Sequence, residues 1–302
     1  GAVTHDGRDH AGSPDAFEPV RGELVYASTV EFFTNLQLYT VRADVTDLVR
    51  GGPLAGEYRV RGFDADIFDG PVEHTAANAS FSLVLVYEEP RLPPREIFVF
   101  DGLELVLGST VTLDIDGFRV SRVPSGALTI YAQEGDCHPG PADCENGNNT
   151  TGLERIRVVG ADGERRLVLS DDVNPPNDVF NRTINTVEPP LRDVVGTDID
   201  RFDISSVLRS GDERATIEVT TPVPRGRLAG ELVGLVYVIA GIDVFAPELA
   251  VDSRIELRSD VGDEVDVFAG DPLVATLALS NTGNTPAEAV AAELELPEEV
   301  VA

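Results

Sequence analysis

The sequence predicts an all-β protein: a large β-sandwich of jelly-roll or immunoglobulin-like type, followed by an incomplete immunoglobulin-like sandwich. Three observations carry that expectation. Apolar segments of about four to eight residues recur between Gly, Pro and Asp punctuation along most of the chain, which is the rhythm of strands and turns. Apolar residues make up 42% of 302, enough for one large or two ordinary cores. Near the end, Leu273, Ala275, Leu277 and Leu279 alternate with other residues and run into an N-T-G-N turn at Asn281–Asn284, the period-2 pattern of a half-buried strand.

Taken in order, residues 1–22 are polar and acidic with no periodicity, and read as an extended or disordered leader. From Glu23 the strand pattern begins: L-V-Y-A-S-T-V, L-Q-L-Y-T-V-R-A and Y-R-V-R-G-F, then S-F-S-L-V-L-V-Y, I-F-V-F, V-T-L-D-I and L-T-I-Y-A. Phe81–Tyr87 is apolar at almost every position, which suits a central strand covered on both faces. Pro90, Pro93 and Pro94 follow at once and cannot donate to a sheet, so they force a crossing loop. Beyond a polar cysteine loop come R-I-R-V-V-G, R-R-L-V-L-S, A-T-I-E-V-T-T and E-L-V-G-L-V-Y-V-I-A, again strands. The sandwich region is thus 23–247, divisible near 134–152, and 248–302 is a partial repeat with strands at Val265–Phe268, Leu273–Ser280 and about Val290–Leu296. Three strands bury too little to stand alone. Either the remainder belongs to a longer parent chain or a neighbouring subunit completes it.

One device occurs twice. Asp44 to Gly52 and Asp203 to Gly211 share an Asp that can cap a short helical turn, apolar residues at i, i+3 and i+4 (Val45, Leu48, Val49; Ile204, Val207, Leu208), and a closing glycine. Both read as a short helix plugging one end of a sandwich.

Composition narrows the partners. The formal net charge is −30, which argues against nucleic-acid phosphates and anionic membranes. The chain has no lysine, methionine or tryptophan, so Gly1 is not a translational start and a processed chain is expected. No run approaches the ~20 apolar residues of a membrane span. Cys137 and Cys144 close a short polar loop and are expected to form a disulfide, with zinc as the rival reading through His138. A disulfide implies an oxidising, extracellular location. Sequons at Asn78, Asn148, Asn149 and Asn181 are compatible with glycosylation.

Acid clusters are the candidates for chemistry. Asp198, Asp200 and Asp203 form D-x-D-x-x-D, while Asp171, Asp172, Asn174, Asn177 and Asp178 crowd a Pro-containing loop. Oxygen-rich loops of this kind can hold calcium, and turn and cap chemistry accounts for the same residues without a metal. The EF-hand pattern fails, with Asp203 at its sixth position and Arg209 at its twelfth. No cofactor is implied beyond calcium. Four histidines, two of them in the leader and one in the cysteine loop, leave little for a nucleophile–base pair, so no enzyme activity is expected.

Ser82–Gly102, Asn177–Ile184 and Gly196–Ile204 resemble a secreted β-rich module of large bacterial and archaeal envelope proteins. The tail 265–301 is similar to the first strands of a CARDB-type immunoglobulin-like surface repeat, but lacks the second half. The resemblance spans Val25 to the C-terminus, carries no catalytic residues, and implies surface display with adhesion or assembly. The expected function is that of an extracellular structural or adhesive envelope protein, including a filament or surface-layer subunit that self-associates or joins other envelope proteins. The alternative is a soluble carbohydrate- or calcium-binding sandwich.

Overall fold

The computed structural model describes residues 2–6, 18–30, 36–50, 57–62, 79–135, 154–222, 232–245, 249–257, 273–281, 287 and 289–293. Its strands are β1 Ala2–Asp6, β2 Glu18–Pro19, β3 Glu23–Val30, β4 Leu36–Arg42, β5 Glu57–Arg61, β6 Arg95–Leu107, β7 Thr110–Asp116, β8 Gly126–Gln133, β9 Arg155–Val159, β10 Arg166–Val168, β11 Thr197–Asp203, β12 Arg214–Thr220, β13 Leu232–Asp243, β14 Leu249–Leu257 and β15 Leu273–Asn281. A one-turn helix, α1 Thr46–Arg50, and a 3-10 turn, Ser205–Val207, complete the elements.

Two four-stranded antiparallel sheets, ordered β10-β9-β12-β7 and β11-β8-β13-β6, form the body. Alternation explains how they face each other. Along β12, Ala215, Ile217 and Val219 are buried between half-exposed Thr216 and Glu218; along β8, Leu128, Ile130 and Ala132 point into the same cluster. Both sets join one apolar core with Ile115, Ile156, Val158, Phe202 and Ile242, so the expected β-sandwich is what the chain builds. In β13 the inward positions are Val233 and Leu235 before a register shift and Val238, Ala240 and Ile242 after it. The bulge exchanges odd for even positions and lets one 12-residue strand serve the core along its length. It also places Val236 on the outer face, beside Tyr131 and Leu103.

Several expectations need correction. The cut near 134–152 does not divide the sandwich, because each sheet joins strands from before and after it: β7 with β9, β10 and β12, and β6 and β8 with β11 and β13. The leader contains β1, paired along its length with β5 from Ala2↔Arg61 to Asp6↔Glu57. Phe81–Tyr87 is not a central strand. It forms no ladder, and Val84, Val86 and Tyr87 are exposed. The segment lies against the outer face of the sheet, where Ser80 Oγ meets Tyr131 Oη at 2.5 Å, while the central place is taken by β13. A continuous apolar run cannot by itself distinguish these two fates. In the tail, β15 matches the alternating stretch, but its partner is β14, and the described residues 289–293 are not strand. The strand expected at 265–268 lies outside the described residues, as do Cys137, Cys144, Asn78, Asn148 and Asn149.

The capped turn of the repeated device is present in both copies, while Gly52 of the first lies outside the described residues. Asp44 Oδ1 accepts the Thr46 N–H at 2.9 Å ahead of α1, and Asp203 Oδ1 accepts the Ser205 N–H at 2.8 Å ahead of the 3-10 turn. Ile204, Val207 and Leu208 are buried in the main core, and Gly211 closes the second copy with φ +86.

Candidate functional site

Strand β11 is an edge of its sheet and carries carboxylates where apolar residues belong. Asp198 and Asp200 share the core-facing side with Phe202, whereas Ile199, Arg201 and Asp203 face the other way. Asp198 and Asp200 are accordingly buried, as are Glu154 and Asp178, which meet across an isolated parallel bridge. Glu154 occupies the same strand parity as the core residues Ile156 and Val158.

The free edge of β11 is closed by the chain at 183–185, which runs parallel to it through Ile184↔Ile199. Ile199 N–H donates to Thr183 O at 3.2 Å. The remaining donors meet side chains: Thr183 N–H reaches Asp198 Oδ1 and Asn185 N–H reaches Asp200 Oδ1, both at 3.1 Å. Asn185 returns the favour, its Oδ1 accepting Arg201 N–H at 2.7 Å and its Nδ2 donating to Arg201 O at 3.1 Å. Side-chain amide and carboxylate groups thus stand in for a backbone ladder and blunt an edge strand.

Asp171 works as a turn residue. Its Oδ1 accepts from Val173 N and Asn174 N at 2.8 and 2.9 Å, and its Oδ2 from Asn185 Nδ2 at 2.6 Å. Asp203 lies on the opposite face as the cap described above. Five of the six acids in the sequence motifs therefore do not form one set: Asp198, Asp200 and Asp178 are buried, while Asp171 and Asp203 serve turns. Among the described residues, no group of three or more His, Cys, Asp or Glu is placed to hold a metal ion. Asn181 is taken up internally, its Nδ2 donating to Val173 O at 2.8 Å while Thr183 Oγ1 lies 2.8 Å from its Oδ1. The sequon's amide nitrogen is thus engaged inside the fold, and Asn181 is buried.

Burial sets the electrostatics. It pushes the Asp198 carboxyl well above the carboxylate range, the charges of Asp200 and Glu154 add to that, and the Thr183 and Arg182 amides pull less strongly the other way. Burial likewise lifts Asp200 to about 7. Asp203 moves down, held by its hydrogen bonds to Ser205.

Glu154, Thr183 and Asn185 escaped the sequence reading. For Glu154 the signal was there, because it continues the inward parity of R-I-R-V-V. The other two act through backbone placement that no periodicity reveals.

A second surface feature lies in β14 and β15. They pair only with each other among the described strands, with Val251 opposite Leu279, and these two side chains are 61% and 44% exposed.

No family model matches the chain, and no curated protein matches it. Among solved structures, one of infectious bursal disease virus Gx strain is similar, at 12% identity and a TM-score of 0.26. The match covers 53% of this chain and 37% of that one, so the chain spans well under half of its neighbour. Among the described residues no helix is long and apolar enough to cross a membrane.

Proposed function

We propose that this is an extracellular structural or adhesive component of a cell envelope, a filament or surface-layer subunit that assembles through β-strand contacts. One observation supports the reading most directly: the β14–β15 ribbon presents the apolar pair Val251 and Leu279 to solvent. A two-stranded ribbon is marginal in water. An exposed apolar strand pair also invites strand addition by a neighbour. Self-association or joining to other envelope proteins would cover it. The resemblance of 82–102 and 196–204 to envelope modules points the same way, and an oxidising location with a Cys137–Cys144 disulfide belongs to this reading.

The test is electron microscopy and sedimentation of the full chain beside a Val251→Thr, Leu279→Thr double variant. An ordered polymer from the parent chain, lost in the variant while circular dichroism of the sandwich is unchanged, is the expected result. A chain that stays monomeric at high concentration and high salt, or a variant that polymerises equally well, overturns it. Intact mass with and without reductant reads the disulfide.

A further inference from the structure

We propose that the strap at 183–185 is a proton-operated latch, which closes the edge of β11 while Asp198 and Asp200 are protonated and lifts as they ionise. The inference is independent of how the chain assembles. Ile199 N–H reaches Thr183 O at 3.2 Å, and much of the remaining seam runs through side chains. Thr183 N–H ends on Asp198 Oδ1 and Asn185 N–H on Asp200 Oδ1. The groups that fasten the strap are therefore also the buried acids of β11, only 2% and 3% exposed.

No cation neutralises these two among the described residues. Their neighbours across β8, Ala132 and Ile130, are apolar. The turn at 171–174 adds Asp171 and Asn174 beside Asp200, and the bridge between Glu154 and Asp178 brings two more buried acids. The charges of Asp200 and Glu154 act on Asp198, and that of Asp171 acts on Asp200. Arg182, at the start of the strap, is engaged with Asp193 at 2.7 Å, while Arg201 lies on the opposite face of β11 with Asp203. Asp198 Oδ2 makes no hydrogen bond within the protein, and the Gly135 backbone packs against it with no room for a Cβ, which closes that side to water.

Carboxylates ionised in such a place lose hydration and repel one another, and the amides that reach them offset only part of that cost. Lifting a short strap on a sheet edge hydrates them without opening the sandwich, so local release precedes global unfolding. A lifted strap leaves β11 with unpaired backbone groups that another strand can join. The sign follows from burial: both acids are harder to ionise when covered than when hydrated, so the closed strap is complete in acid and is lost as pH rises through about 7, where Asp200 gives up its proton.

Hydrogen exchange of the full chain, read at single amides from pH 5 to 9 and corrected for intrinsic rate, tests the latch. Expected is a loss of protection at the Thr183, Asn185 and Ile199 N–H groups above pH 7, up to about tenfold per pH unit for each proton released. Ile217, in the interior strand β12, should stay better protected and exchange through urea-sensitive global opening. Asp200→Asn keeps an oxygen for the Asn185 N–H and should flatten the pH slope at the strap, whereas Asp203→Asn, on the opposite face of the same strand, should retain it. Because Asp200→Asn could fail to fold, low urea gives a second reading in the parent chain: at pH 8, exchange at Ile199 should be insensitive to it. Protection at Ile199 equal to that at Ile217 at every pH, strap protection that does not change with pH, or an unchanged slope in Asp200→Asn overturns the latch.

Discussion

Asp200 shows how one residue can carry the acid response of the fold. Its folded-state carboxyl sits at about 7 because burial outweighs the hydrogen bonds from Asn174 and Asn185, while the unfolded chain returns it to the ordinary 3.8. Between those values the folded protein holds a proton that the unfolded one has lost. The stabilisation is therefore complete below about pH 4 and disappears as pH rises through about 7, a swing on the order of 4 kcal/mol. Asparagine copies the neutral carboxyl and keeps an oxygen for the Asn185 N–H. In chelator, Asp200→Asn is expected to cost little at pH 5 and to be the more stable chain at pH 8, read from urea midpoints at both values. Equal pH slopes for the two chains would show that Asp200 ionises normally inside the fold.

At the scale of elements, the turn Ser205–Val207 is held from two sides. Arg165 donates to Val207 O at 2.6 Å and grips Asp212 through both terminal nitrogens at 2.8 and 3.1 Å, while its Nε meets Asp162 at 2.6 Å. Underneath, Gly126 leaves room for Leu208 and Ile204, whose carbons would lie 2.8 and 3.0 Å from an added Cβ. Arg165→Ala should cost about 2–4 kcal/mol, since it strands Asp212 as well as losing the bonds; Gly126→Ala should cost about 1–3 kcal/mol by overpacking. Chemical unfolding reads both, and a neutral result for either would mean the plug carries no load. This device was legible in the sequence because a capping Asp and apolar residues at i, i+3 and i+4 are local signals. Most core strands were legible for the same reason, their inward positions being apolar at period 2. Strand β11 was not, because Asp198 and Asp200 occupy the inward positions that would have marked it. The opposite error befell Phe81–Tyr87: its apolar run signals burial, yet which sheet has a vacant central place is decided by the pairing of distant strands.

The whole molecule is governed by its charge imbalance: 53 acidic against 23 basic residues. Opposite charges do meet, as in Arg42–Asp101 at 2.6 Å, Arg95–Asp243 at 2.7 Å and Arg157–Glu218 at 3.3 Å. The exposed or half-exposed pairs, Arg42–Asp101 and Arg157–Glu218, contribute about 0–1 kcal/mol each, whereas Arg95 covers the buried Asp243. Thirty uncompensated negative charges repel throughout, and the compact state suffers more from that repulsion than the expanded one. Salt weakens both effects, with a screening length of about 10 Å at 0.1 M and about 3 Å at 1 M. The ion pairs are few and close while the repulsion is summed over the surface, so screening should relieve more than it removes. The melting temperature is therefore expected to climb with NaCl from low to molar concentration, measured at fixed pH in chelator so that no divalent ion contributes. A falling melting temperature would mean that the arginine pairs outweigh the repulsion. The same balance bears on assembly, because two like-charged subunits must approach before Val251 and Leu279 can be covered. Polymer, if it forms, should appear over the same range of salt that raises the melting temperature, and light scattering beside calorimetry across one NaCl series would show whether the two move together.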